Sequence, residues 1–94
     1  MRRMQVIDTR ELERLVRRTF PEKRHFSADK ELGPDAHRWP VVTFVHSGTD
    51  VFLDRQFDDW LRGSPIFVSV HQLLNRLCRA GVLSPGEYAV TRER

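Results

Sequence analysis

Apolar positions along this chain recur in two periods, and the switches between them predict six elements. Leu12, Leu15, Val16 and Phe20 fall at helical spacing, so they share one face of a first helix. Asp8 and Glu11 stand three apart, the spacing of a capping box, and Pro21 ends the stripe. Residues 1–7 ahead of the cap read as a frayed end. From Lys23 the pattern shifts to period two: Phe26, Ala28 and Leu32 alternate with polar neighbours, which predicts a half-buried strand over residues 25–32. Gly33, Pro34, Asp35 and Ala36 form a turn signal. The run from Trp39 to Val45 is the most β-prone in the chain, with Pro40 at its start or on an edge. Two strands around a short turn predict an antiparallel hairpin.

Helical spacing then returns. Leu53, Phe57, Trp60 and Leu61 give a helix with an aromatic face, with Gly63 placed to end it. Val70, Leu73, Leu74, Leu77 and Cys78 follow the i, i+3, i+4, i+7, i+8 rule without a misfit. They predict a helix over residues 69–80 with Ser69 as N-cap and Gly81 just past its end. Pro85 and Gly86 fit the inner positions of a type II turn, and residues 87–91 alternate as a strand. The predicted order is α-β-β-α-α-β. It implies an α+β fold in which a small antiparallel sheet packs against helices, as one domain spanning residues 1–94.

Composition narrows the function classes. A hydrophobic share of 39% with two Trp and six Phe is enough for a packed interior. The net charge of +3 gives weak general attraction to polyanions. It is unevenly placed: the first 24 residues hold eight basic and four acidic side chains, a local +4, whereas residues 25–63 hold four and seven, a local −3. Fourteen of the sixteen basic residues are Arg, which suits bidentate phosphate contacts but also fits an Arg-rich genome. Cys78 is the single cysteine, so no internal disulfide forms. The chain has no apolar run of ~18 residues. These features predict a cytoplasmic protein without a membrane span.

Chemistry-bearing clusters are sparse. His25, His37, His46, His71 and Cys78 lack the short paired spacing of zinc ligands. Cys78 lies on an apolar stripe, where a thiol is buried and unreactive. No G-x-S-x-G or phosphate-cradling glycine loop occurs. No enzyme activity, cofactor or metal is expected. The strongest candidate is the polar face of the last helix, His71, Gln72, Asn75, Arg76 and Arg79, because Arg, Asn and Gln match base edges in a major groove. Arg14, Arg17 and Arg18 on the first helix are candidate phosphate contacts.

The run VHQLLNRLCRAGVL at residues 70–83 resembles the third helix of winged-helix DNA-binding domains, and residues 84–92 stand where that family has its wing. The resemblance covers residues 69–92 and implies a winged-helix-like variant that binds DNA. The chain departs from the pattern in the apolar connection at residues 65–68 and in the hairpin after the first helix. The alternative is a protein-interaction module or small inhibitor that uses an aromatic patch, Phe57, Trp60, Ile66 and Phe67, since aromatic anchors carry interface energy. Either way the expected partner is a macromolecule, nucleic acid or protein. The oligomeric state stays open.

Overall fold

The computed structural model describes residues 4–32, 39–46 and 65–92. In order they form β1 (Gln5–Asp8), α1 (Thr9–Thr19), a 3-10 turn (Pro21–Lys23), α2 (Ala28–Leu32), β2 (Val41–Val45), α3 (Pro65–Arg79) and β3 (Gly86–Thr91). The three strands make one sheet in the order β1-β3-β2, with β1 parallel and β2 antiparallel to β3. One face of that sheet shares a core with α1 and α3, through Ile7, Val41, Val45, Tyr88 and Val90. The α+β class agrees with the expectation from pattern.

Local signals explain the helices. Asp8 accepts the Glu11 N–H at 2.8 Å, capping α1 as its spacing requires. Leu12 and Val16 are fully buried and Leu15 nearly so; full burial of such a side chain contributes about 1.5–3 kcal/mol. Phe20 is extended, as a residue before proline tends to be, and Pro21 opens the 3-10 turn. At the far end of α3, Gly81 has φ +79°. The Val82 N–H reaches the Leu77 carbonyl at 2.9 Å and the Gly81 N–H reaches that of Cys78 at 3.0 Å. These two bonds are a Schellman cap, which needs the left-handed conformation that glycine adopts without steric cost.

Several expectations are corrected. Residues 5–8 are not frayed: they form β1, in register with Tyr88 to Thr91 of β3. Residues 25–32 are not a strand. Phe26 and Ala28 are both buried, as alternation demands, but they anchor a turn. Arg17 Nε donates to the Phe26 carbonyl at 2.7 Å, and the Ala28 N–H donates to the Glu13 carboxylate at 2.8 Å. The carboxylate caps the part-buried start of α2, where Ala, Lys, Glu and Leu favour helix over three alternating residues. With that strand gone, β2 pairs with β3 instead of forming the predicted hairpin, and the sheet is mixed rather than antiparallel. Helix α3 begins at Pro65, four residues before the predicted Ser69 cap, because proline suits the first helical position. Gly86, expected inside a type II turn, already belongs to β3 opposite Val45. The Trp39–Pro40 peptide bond is cis and immediately precedes β2. The turn at residues 33–36 and the helix predicted around residues 53–61 lie outside the described residues.

Candidate functional site

Helix α3 was expected to divide cleanly into an apolar stripe and a polar face. The stripe is as predicted, with Val70, Leu73, Leu74, Leu77 and Cys78 all buried. The polar face is not: His71 and Asn75 have no exposed surface, so neither is available to read a base edge. They sit one turn apart on the side of α3 that meets β2.

Their hydrogen bonds show why burial is tolerated. The backbone N–H of His46 donates to Asn75 Oδ1 at 3.2 Å, which fixes the orientation of the carboxamide. Asn75 Nδ2 then lies 3.0 Å from His71 Nε2 and must donate to it. The imidazole is therefore neutral, with Nε2 bare and the proton on Nδ1. Nδ1–H donates to Thr43 Oγ1 at 2.7 Å. Thr43 belongs to β2 and is itself buried. The chain of bonds ties α3 to β2 and to the residue just after that strand. Buried polar groups bonded this way specify one arrangement of the elements that carry them.

The rest of the predicted face remains outside. Gln72 and Arg79 are exposed. Arg76 is half-buried, stacked 4.2 Å from the centroid of the Phe20 ring and 3.1 Å from the Glu22 carboxylate. A backbone hydrogen bond and Arg76 hold the Glu22 carboxyl below the usual glutamate range. On α1, Arg14, Arg17 and Arg18 are all exposed and share a face at i, i+3 and i+4. Arg14 lies 3.8 Å from Glu11, and Arg17 is held by the Phe26 carbonyl. Of the aromatic alternative, Phe57 and Trp60 lie outside the described residues. Ile66 and Phe67 fall in the first turn of α3, with side chains outside the description.

A surface that sequence reasoning missed lies on the sheet face turned away from the helices. Val6, Ala89 and Val42 are in register across the three strands. Val6 is 65% exposed and Val42 40%, while Ala89 in the central strand is buried. Phe44, at 38%, and Met4, at 44%, extend the apolar surface at either side. The signal was present in the sequence of β2, VVTFV. A strand with one solvated face turns polar residues outward, but here the outward positions are Val42 and Phe44.

The remaining chemistry is quiet. Burial pushes the Cys78 thiol up, against a weaker opposing pull from Arg79. Burial also raises the Tyr88 phenol, whose hydroxyl donates to the Ser84 carbonyl at 2.8 Å. Among the described residues no group of three His, Cys, Asp or Glu is placed to hold a metal ion, and no helix is long and apolar enough to cross a membrane. Comparison with protein-family models, with curated proteins and with solved structures finds no match to this chain.

Proposed function

We propose that this chain is a non-enzymatic binding domain that docks a protein partner on the outer face of its sheet. The observation that carries this reading is the row Val6, Ala89 and Val42, apolar on all three strands, with Val6 65% exposed. Exposed apolar side chains on both outer strands, with only an apolar residue between them, favour an interaction site. Charge specifies the partner's chemistry. Among the described residues, the charged side chains of this face are the carboxylates Asp8 and Glu87, although the chain carries a net +3. The complementary partner presents an apolar surface edged with Lys or Arg. A second copy packed face to face would bring carboxylates together instead.

Amide chemical-shift mapping tests this with a short peptide of alternating valine and lysine and its valine–glutamate counterpart. The lysine peptide shifts Val6, Val42, Glu87 and Ala89, and Val42→Lys abolishes the effect. Equal response to both peptides, or none, overturns the reading, as does concentration-dependent self-association through the same residues.

The exposed grouping of Arg14, Arg17 and Arg18 favours a second reading, nucleic-acid binding through phosphate contacts from α1, with Gln72 and Arg79 of α3 outside its core. A short duplex titrated at ~50 mM salt, where electrostatic affinity is strong, separates the two. Shifts confined to α1 and α3 that vanish with added salt, with no peptide response, replace the first reading with the second.

A further inference from the structure

A second surface feature is independent of the sheet. A cleft of about 200 Å³ opens where the 3-10 turn, α2 and α3 meet. Phe26 and Leu73, 2% and 8% exposed, supply its apolar base. Lys23 and Arg76 bring two cations to its walls, Glu31 brings one carboxylate, and Ser69 and Gln72 bring a hydroxyl and an amide. Its volume is below the ~300–1,000 Å³ of sites that take drug-sized molecules. It has room for one amino-acid-sized group.

Arg76 is prepared for an anion. Its guanidinium is stacked on Phe20 and steadied by Glu22, and that contact uses one nitrogen of a fork with five N–H donors. Holding a guanidinium in place beforehand lowers the ordering cost of a further carboxylate contact. Glu31 limits the ligand's charge: Lys23 and Arg76 are balanced by Glu31 and by the Glu22 carboxylate on Arg76, a local sum of zero, so a dianion is disfavoured more than a monoanion.

We infer that this cleft binds an apolar monocarboxylate: one aliphatic or aromatic group seated on Phe26 and Leu73, with an adjacent carboxylate held by Lys23 and Arg76. Ser69 and Gln72 supply hydrogen-bonding groups for an amide where the ligand carries one. Two sources offer this chemistry, a free small acid and the carboxyl terminus of a polypeptide ending in an apolar residue.

The test is a heteronuclear NMR titration of the full chain with N-acetyl-leucine, N-acetyl-leucinamide and N-acetyl-aspartate. N-acetyl-leucine binds with a Kd of about 1 mM, the affinity that a dozen non-hydrogen atoms ordinarily supply, and shifts Lys23, Gln72 and Arg76. The amide and the dianion bind at least ~10-fold more weakly, a loss typical for an omitted charged contact. Lys23→Gln weakens binding about 5-fold and Glu31→Gln tightens it about 2-fold to 5-fold, within the range of exposed ion pairs. Opposite signs at two surface positions distinguish this from damage to the fold. A peptide ending in free leucine that binds at least ~10-fold tighter than N-acetyl-leucine identifies the polypeptide source; equal affinity identifies the small acid. Binding of the amide as tight as the acid, shifts that never saturate or spare the cleft, or two variants that change affinity in the same direction overturn the proposal.

Discussion

Asn75→Ala puts the buried polar network to the most direct test. The substitution removes the acceptor of the His46 N–H and the donor to His71 Nε2, bonds of 3.2 and 3.0 Å. Leaving a buried polar group without its partner costs about 1–3 kcal/mol. His71 is fully buried and takes the upper part of that range; the half-buried His46 amide takes the lower. The sum is about 2–5 kcal/mol. For a domain of this size each kcal/mol moves Tm by roughly 4–8 °C, so Tm falls by about 8–40 °C. Urea unfolding followed by circular dichroism reads the loss as a lower midpoint with unchanged slope. A second measurement tests the assignment rather than the energy. The bond directions require the His71 proton on Nδ1, so long-range nitrogen–proton correlation in the unmodified protein shows a protonated Nδ1 and a bare Nε2. A loss below ~1 kcal/mol would refute the magnitude, being under the range for even one orphaned group. A proton found on Nε2 would refute the direction of every bond in the network.

Three further outcomes are expected. Gly81→Ala destabilises the domain by about 1–2 kcal/mol in urea melts, because φ +79° strains any side chain, although a Cβ there meets nothing within 4 Å. Glu22 has its carboxyl lowered by the native contacts, so its stabilising effect is present above the unfolded value and is lost as pH falls through the folded one. Paired melts of the protein and Glu22→Gln therefore differ near neutral pH and converge in acid, and a gap that widens in acid contradicts the assignment. Cys78 is buried with a raised thiol, so Ellman's reagent at neutral pH labels it only as denaturant unfolds the chain; rapid labelling in native buffer contradicts its placement.

How much of this was legible depends on the distance over which each signal acts. The stripe of α3 and its end at Gly81 follow from residues within two turns of one another, and both stand as read. Strand β2 was legible because Val41 to Val45 combine β-branched and aromatic side chains. Strand β1 was not, since four residues carry no measurable period and its partner, β3, lies some eighty positions on. At residues 25–32 three alternating apolar residues imitate a strand, whereas helix propensity and the Glu13 contact to the Ala28 N–H set a short helix there. At the candidate site, Gln72 and Arg79 are outside as expected. His71 and Asn75 are not, because a polar residue is buried or exposed according to partners that the local pattern never contains. Thr43, the partner of His71, is 28 positions away.

The place of β3 in the sheet has a consequence for how the chain is made. The central strand is the last in sequence, and both other strands pair with it and not with each other. Synthesis runs from the amino end, so β1 and β2 emerge with their ladder partner still unmade. Throughout that interval their backbone hydrogen-bonding groups, and the apolar side chains of Val6 and Val42, face whatever else is nearby. Pairings so far apart in sequence close slowly, and nascent chains with unpaired strands are the species most exposed to aggregation. The arrival of Gly86 to Thr91 fills the central slot and completes the sheet on both sides in one step.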